Sequence, residues 1–335
     1  MKYISLPDEA TRRLTFYLAT EEFVARHITE PECFFMWQVN PTVIFGRNQL
    51  IENEVNLDYC RQHGIETYRR KSGGGCVYAD RSNIMFSYIT NDINVRFTFD
   101  KYLRMVAFVL RKLGVEAEAT GRNDILVHGK KVSGNAFYHL PGRSIVHGTM
   151  LFDTDMEHLV RAITPSNEKL VSKGVASVRQ HVTNLSQYLT ISIDEFKDFV
   201  RRQMCDGEIR LTSDDLGQIE EIEKEYLTEK FIYGNNPHYT IIKKGRTDSA
   251  GELELRIELK NGIIKDLNLV GDYFLVGDLD HGLIARLRQV PYREDDVRRA
   301  LADVRMEEII LNLTREEFTR LMFSEQTINK NYTYI

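Results

Sequence analysis

The chain has few cysteines and no long apolar run, and each scarcity excludes a class of protein. Four cysteines among 335 residues, none in a CxxC spacing, disfavour a zinc site or a disulfide framework and favour a reducing compartment. Because no stretch reaches about 18 apolar residues, we expect no membrane span. The first nine residues lack the apolar segment of a secretory signal, so we expect a cytoplasmic protein.

Charge and length limit the possibilities further. A net charge of −5, from 44 basic and 49 acidic residues, argues against bulk nucleic-acid binding, although a local basic pocket remains possible. A length of 335 residues suggests about two domains. The character of the sequence changes after residue 237, where alternating strands begin. We therefore predict a first domain over residues 1–245 and a second over residues 246–335.

Apolar periodicity predicts helices and strands in both parts of the chain. The expected elements, in order, are a helix from Pro7 to about His27, a hairpin of strands 34–39 and 42–46, a helix over 56–63, strands 65–69, 76–78 and 84–89, a helix over 99–113, strands 115–119 and 144–152, helices 193–204 and 214–227, strands 239–244, 252–260 and 263–270, and helices 279–288, 293–303 and 315–323.

Three consecutive glycines, residues 73–75, follow Arg69, Arg70 and Lys71. Inside a regular element each glycine costs roughly 0.5–1 kcal/mol relative to alanine, so a run of three is favoured mainly where backbone passes close to another group. Free N–H groups beside cationic side chains indicate an anion such as phosphate or carboxylate. Strands are predicted on both sides, and GxxxxGK[ST] and GxGxxG are absent, which excludes a P-loop or Rossmann turn. The alternative is a surface turn with solvated charges.

A second unusual segment, residues 121–136, alternates apolar and polar residues around a Gly129-Lys130 turn, which predicts a hairpin. Asn123 and Asp124 would stand on one arm, and Lys131 and Ser133 on the other. An aspartate and a lysine aimed at one point can hold a metal-bound phosphate. Taken alone, the segment also fits a surface hairpin with solvated charge.

Two further side chains have both a structural and a functional interpretation. Trp37, the only tryptophan, lies in a predicted strand and is either core or the wall of a pocket. His147 precedes a glycine and is either a structural hydrogen-bonding group or a ligand contact. Residues 170–185 are polar and predict a loop.

Together these segments resemble the lipoate–protein ligase family. The matching segments, in the family's order, are RRKSGGGCVY (69–78), GRNDI (121–125), KKVSGNA (130–136), HGT (147–149), KGVASVR (173–179) and VTNL (182–185). The match is dense over about residues 30–190 and looser beyond, where residues 233–237 resemble the family's junction.

The resemblance implies an α+β fold of the class II synthetase or biotinyl/lipoyl-ligase type, with a mixed, mostly antiparallel sheet, flanking helices and a small α+β C-terminal domain. It implies that lipoate and ATP, with Mg²⁺, form lipoyl-AMP and pyrophosphate. The lipoyl group then passes to a lysine of a lipoyl domain, in 2-oxoacid dehydrogenase complexes or the glycine cleavage H protein. Neither a nucleic acid nor a membrane is expected as a partner.

The resemblance also implies roles for individual residues. Lys131, rather than Lys130, is the expected catalytic cation, and Asp124, with Asn123 nearby, is the expected Mg²⁺ contact. The implied ATP and adenylate contacts are Arg70, Gly75, Cys76, Val77, Tyr78, Asn83, Lys131, Lys173, Ser177 and Arg179. The implied lipoate contacts are Trp37, Arg70, Ser72, Gly73, Gly74, Lys131 and His147.

The sequence departs from the family pattern at two positions: Ala79 replaces the usual histidine, and His181 stands where arginine is common. We expect activity to survive, because strand backbone can still contact adenine.

Three other functions compete with that of a lipoate–protein ligase. An octanoyltransferase of the same superfold needs a reactive cysteine, and Cys76 is the only cysteine inside a motif, away from the region where those transferases carry theirs. A non-catalytic regulator that binds lipoyl groups or nucleotides is supported only by Ala79. A biotin ligase is disfavoured because the Gly-Arg-Gly-Arg loop is absent.

Overall fold

The structure is a computed structural model that describes residues 1–49, 51–120, 123–163, 181–233, 241–247, 249–260 and 262–324. The chain divides into two compact units. The first contains Met1–Phe45, Ile51–Lys71 and Cys76–Tyr233, and the second contains Gly46–Leu50, Ser72–Gly75 and Gly234–Ile335. Two short segments, one of them holding the three glycines, therefore group with the C-terminal part. The domain boundary at residues 245 and 246 stays a prediction.

The first unit is built on a mixed sheet. The strands of this unit are β1 (Lys2–Ser5), β2 (Glu32–Trp37), β3 (Thr42–Phe45), β4 (Glu66–Arg69), β5 (Val77–Ala79), β6 (Asn83–Thr90), β7 (Ala117–Ala119), β8 (Asp124–Val127), β9 (Lys130–Leu140), β10 (Arg143–Leu151) and β11 (Gly207–Arg210). Eight of them form one sheet in the order β11-β1-β2-β6-β10-β9-β8-β7. Among the named strands in the described part of the chain, the parallel pairs of this sheet are those of β1 with β2 and with β11. The predicted mixed, mostly antiparallel sheet is confirmed. A smaller sheet has the order β4-β3-β5.

Helices flank these sheets. They are α1 (Leu14–His27), α2 (Ile51–Glu54), α3 (Leu57–Gln62), α4 (Val95–Lys112), α5 (Met156–Ile163), α6 (Ile193–Met204), α7 (Ser213–Tyr226) and α8 (Glu229–Tyr233). Every residue of α1 from Leu14 to Ala25 is buried, because the helix packs against β6 and β10 on one side and α7 on the other. Its two adjacent glutamates, Glu21 and Glu22, are therefore carried into the core, where a charge needs partners.

The second unit contains an antiparallel meander of β12 (Ile241–Thr247), β13 (Gly251–Lys260) and β14 (Ile263–Gly271). A π-helical turn over Asp280–Ile284 continues into α9 (Ala285–Leu287), and α10 (Glu294–Ala300) and α11 (Arg315–Met322) follow. Apolar residues of the strands and helices share one core, with Leu255, Leu283 and Phe318 at zero exposure. The predicted succession of three strands and three helices is confirmed. None of the helices in the described residues is both long enough and apolar enough to span a bilayer.

Two local predictions are wrong. The first helix begins at Leu14 rather than near Pro7, because the Asp8 carboxylate accepts hydrogen bonds from the Ala10 N–H and the Arg12 guanidinium instead of capping a helix. Strands β2 and β3 do not form a hairpin. Strand β2 pairs with β1 and β6, whereas β3 pairs with β4 and β5 in the smaller sheet.

Candidate functional site

Lys131 and Asp124 meet on neighbouring strands of the sheet in the first unit. The Lys131 Nζ lies 2.8 Å from Asp124 Oδ1, and the two side chains are 36% and 29% exposed. A bulge shifts the register between β8 and β9, so that Leu126 faces Lys131 and Ile125 faces Ser133. Bulges commonly redirect a side chain near a functional site. The predicted meeting of an aspartate and a lysine across this hairpin is confirmed, and both groups remain within reach of solvent.

Gly134 gives the Lys131 side chain room to reach Asp124. A Cβ atom added at residue 134 would lie 2.7 Å from both Cε and Nζ of Lys131. The side chain therefore lies across this glycine on its way to the carboxylate. This packing accounts for the glycine in the Lys-Val-Ser-Gly motif.

Asn135 fixes the backbone beside Asp124. Its Nδ2 donates to the carbonyl of Asn123 at 3.0 Å and to Ser133 Oγ at 3.0 Å. A Cβ atom at Gly148 would lie 1.9 Å from Asn135 Oδ1, so only glycine leaves space for this amide. Three of the motifs that carry the family resemblance are thus packed against one another around the Lys131–Asp124 pair.

A fourth motif reaches the same place. Val182 forms a parallel bridge with Lys131, and the Thr183 N–H donates to the Lys131 carbonyl at 3.0 Å. The remaining predicted adenylate contacts, Lys173, Ser177 and Arg179, lie outside the described residues.

Strand β5 carries the predicted adenine contacts Val77 and Tyr78, and a buried amide supports it. Asn83 Nδ2 donates to the Tyr78 carbonyl at 3.1 Å, while the Thr154 hydroxyl donates to Asn83 Oδ1. The predicted ATP contact Asn83 thus uses both ends of its amide within the protein. Ala79, where the family usually has histidine, is fully buried.

The three cations before the glycines have different surroundings. The Arg69 Nε donates to the Ile232 carbonyl at 2.7 Å. Arg70 is buried, donates from Nη1 to the Ile44 carbonyl at 3.2 Å, and has a pKa lowered to about 10 by that burial. Lys71 Nζ lies 2.8 Å from the Glu22 carboxylate. The charge of Lys71, which the sequence associated with an anionic ligand, is thus paired with a carboxylate of the protein.

The glycine stretch, residues 72–75, lies in the second unit. The Ser72 carbonyl accepts from the Arg47 N–H at 2.9 Å, and the Gly74 N–H donates to the Tyr273 carbonyl at 3.1 Å. A Cβ atom at Gly73 would lie 2.3 Å from that same carbonyl oxygen. The close backbone approach expected of these glycines is thus present, and the group approached in this structure is the backbone of Tyr273. The lipoate contacts assigned to Ser72, Gly73 and Gly74, and the adenylate contact assigned to Gly75, stay predictions.

A buried polar chain joins Trp37 to His147. The Trp37 Nε1 donates to Ser87 Oγ at 2.8 Å, and this hydroxyl donates to Glu21 Oε1 at 2.6 Å. The other carboxylate oxygen of Glu21 lies 2.8 Å from His147 Nδ1. Trp37 and His147, both predicted to border the acyl pocket, therefore belong to one network, whereas sequence reasoning missed Glu21 and Ser87. The sequence signal that could have identified Glu21 is the pair of adjacent glutamates, Glu21 and Glu22, inside an otherwise largely apolar helix.

The surroundings of Cys76 do not favour a thiolate. Burial raises its pKa far above the ordinary value. A nucleophilic cysteine instead needs surroundings that lower its pKa. Burial likewise raises the pKa of Cys33, Cys60 and Cys205 to about 11. No group of three or more His, Cys, Asp or Glu side chains among the described residues is arranged to hold a metal ion.

The fold and the site define a ligase of the class II synthetase type, and comparisons with known proteins identify its family. The family described as the lipoyl protein ligase A/B catalytic domain matches residues 14–205, and the bacterial lipoate protein ligase C-terminus matches residues 236–322. The chain therefore belongs to the lipoate–protein ligase family and is a lipoate–protein ligase.

Known proteins match this chain over nearly the whole of their own length. The chain is 35% identical over 321 residues to lipoate-protein ligase LplJ of Bacillus subtilis, covering 91% of this chain and 96% of that one. A bipartite lipoate protein ligase of Thermoplasma acidophilum, analysed with its E2 lipoyl domain, is 28% identical at a TM-score of 0.65, covering 71% of this chain and 98% of its own. A lipoate-protein ligase A bound with ATP is 26% identical at a TM-score of 0.61, covering 70% and 99%. The predicted α+β fold is confirmed.

Proposed function

We propose that this enzyme activates lipoate with ATP beside Lys131 and then transfers the lipoyl group to a lysine of a lipoyl domain. The observation that carries the proposal is the Lys131–Asp124 pair, which lies on paired strands and is partly exposed. The similar ligase bound with ATP supports the choice of nucleotide.

The first half-reaction joins two anions. The lipoate carboxylate attacks the α-phosphorus of ATP, a P–O bond forms, and pyrophosphate leaves with the electrons of the bond that breaks. The Lys131 ammonium would contact the carboxylate and an α-phosphate oxygen, which offsets their repulsion and stabilises the charge that develops on phosphorus. Losing one such preorganised contact typically lowers the rate about 10²- to 10³-fold.

Asp124 fits a role in holding Mg²⁺. This ion is usually bound through one or two carboxylates together with substrate phosphates, rather than by a complete cage of protein ligands. Asp124 supplies one partly exposed carboxylate, and Lys131 faces it. When bound, Mg²⁺ would neutralise charge on the phosphates. Asp124 would then hold both the Lys131 ammonium and the ion at one end of the hairpin.

The second half-reaction transfers the acyl group. The neutral amine of an acceptor lysine attacks the carbonyl of lipoyl-AMP, an amide bond forms, AMP leaves, and the nitrogen loses one proton. The similar archaeal ligase was analysed with its E2 lipoyl domain, which supports a lipoyl domain as acceptor. We propose E2 subunits of 2-oxoacid dehydrogenases and the glycine cleavage H protein as acceptors, and the cytoplasm as the location.

Intact-mass analysis of an acceptor tests this proposal. The enzyme is incubated with lipoate, ATP, Mg²⁺ and the apo form of an H protein, and the acceptor should gain one lipoyl group while pyrophosphate is released. The variant Lys131→Ala should form lipoyl-AMP about 10²- to 10³-fold more slowly. Lys130→Ala, one residue away on the same strand, is the matched control and should keep the rate. ATP binding without pyrophosphate release from the wild-type enzyme would refute the proposal, and an unchanged rate in Lys131→Ala would refute the assignment of Lys131.

A further inference from the structure

A fully buried carboxylate lies next to the chain segment that leads into the glycines. Glu22, on α1, has zero exposed area. Its Oε1 lies 2.8 Å from Lys71 Nζ and accepts from the Tyr226 hydroxyl, and its Oε2 accepts from the Arg26 guanidinium at 2.9 Å. Since a buried charge is costly without partners, these contacts form one interdependent group.

Lys71 is held more tightly by this group than a surface lysine would be. Its side chain is only 18% exposed, and its ammonium lies over the Tyr226 ring, 4.7 Å from the centroid. A second carboxylate, Glu225, lies 2.7 Å from the same ammonium but is 60% exposed. The exposed contact is screened by water, so the buried partner Glu22 dominates the position of Lys71.

Lys71 stands between two predicted binding elements. Arg70 precedes it, and Ser72, the first residue of the glycine stretch, follows it. The Arg70 N–H donates to the Phe45 carbonyl at 3.1 Å, which holds the backbone on that side. The Glu22–Lys71 pair supplies a side-chain anchor at the next residue, where the chain leaves strand β4 and enters the glycines.

We infer that Glu22 is a positioning residue for substrate binding, which acts through Lys71 on Arg70 and on residues 72–75. This inference rests on the proposed role of those residues in binding lipoate. Glycine backbone has little intrinsic preference for one conformation, so its geometry depends on the contacts that hold it. Hydrogen bonds with Arg47 and Tyr273 hold Ser72 and Gly74, and Lys71 is the anchored residue that precedes them. Glu22 itself touches no substrate in this proposal.

The chain offers a matched set of variants. Glu22→Gln keeps the shape of the side chain and removes its charge, and Lys71→Met removes the other partner while keeping much of the aliphatic stem. Lys71→Arg restores a cation. Glu223→Gln is the control, because Glu223 is also buried, pairs with Arg13 and accepts from Thr15, and joins the same helices without contacting Lys71.

Lipoate binding and turnover are measured together. In Glu22→Gln and in Lys71→Met we expect the KM and the calorimetric Kd for lipoate to rise about 10- to 100-fold, with kcat changed much less, because misplaced binding backbone weakens ground-state contacts. Lys71→Arg should recover most of the affinity. Hydrogen exchange of the amides at residues 72–75 should be faster in the two affected variants and unchanged in Glu223→Gln.

Two results would overturn the inference. One is unaltered lipoate affinity in both Glu22→Gln and Lys71→Met. The other is an equal loss of affinity in Glu223→Gln, which would mean that any weakening of the α1–α7 packing has the same effect. Calorimetry without ATP keeps the test independent of catalysis. If the wild-type enzyme bound lipoate but formed no lipoyl-AMP, the proposed function would fail while the positioning role could still be read from the Kd.

Discussion

Replacing Gly134 with alanine should slow lipoate activation while leaving the fold intact. The added Cβ would lie 2.7 Å from Cε and Nζ of Lys131, whereas ordinary contact begins at 3.4 Å, so the ammonium must move by about 0.7 Å. The atoms that must move are the last two of the flexible Lys131 side chain, whose ammonium is paired with Asp124. The displacement therefore falls on the predicted catalytic cation rather than on the sheet.

The expected magnitudes separate activity from stability. A misplacement of about 1 Å can cost about 100-fold in rate, so we expect lipoyl-AMP formation to fall by about 10- to 100-fold. For stability, loss of a partly exposed ion pair costs about 1 kcal/mol at most, and alanine in a strand regains roughly 0.5–1 kcal/mol relative to glycine. The free energy of unfolding should therefore change by less than about 1 kcal/mol.

Pyrophosphate release and mass detection of lipoyl-AMP measure the rate, and urea denaturation measures stability. Gly217→Ala is the control: Gly217 lies inside α7 with no atom within 4 Å of the added Cβ. This control should gain about 0.5–1 kcal/mol of stability and keep the wild-type rate. A wild-type rate in Gly134→Ala would refute the reasoning, because Lys131 would then act equally well from a displaced position.

Two further predictions concern a cysteine and a glycine. Cys76→Ser should ligate lipoate at close to the wild-type rate, because burial raises the pKa of the thiol and so disfavours the thiolate that a nucleophilic cysteine needs; loss of ligation, with an acyl thioester detected by mass spectrometry in the parent, would favour the transferase instead. Gly148→Ala should lower the free energy of unfolding by about 1–3 kcal/mol, because its Cβ would lie 1.9 Å from Asn135 Oδ1. Urea denaturation measures this loss, with Gly217→Ala as the control. An unaltered denaturation midpoint would show that the Asn135 side chain moves away from the added Cβ at little cost.

The features that the sequence predicted correctly are each determined by one short segment of the chain. Asp124 and Lys131 lie seven positions apart on two arms of a hairpin, so apolar alternation and a turn suffice to place them together. Helix α6 agrees with its predicted bounds because Ser192 and Glu195 form a capping box at its start. In both cases the signal and the structure it specifies share one short segment.

The parts that sequence could not supply depend on distant pairing. Glu21 and His147 are 126 positions apart, and only the packing of α1 on the sheet brings them to 2.8 Å. The error at β2 and β3 has the same origin, since two neighbouring apolar strands joined by a turn predict a hairpin. Nothing local indicates that each strand belongs to a different sheet.

The glycine stretch combines both situations. Its composition correctly predicted that backbone would approach another group closely, but the group at Gly73 in this structure is the Tyr273 carbonyl, 200 positions along the chain. The cations before it were also assigned by proximity in sequence, whereas Lys71 is paired with the buried Glu22. A charge beside a glycine run therefore need not face the ligand. At this site Lys71 has the surroundings of an anchor, and the contact between Arg70 and substrate stays a prediction. The Glu22 variants test whether that anchor contributes to lipoate binding.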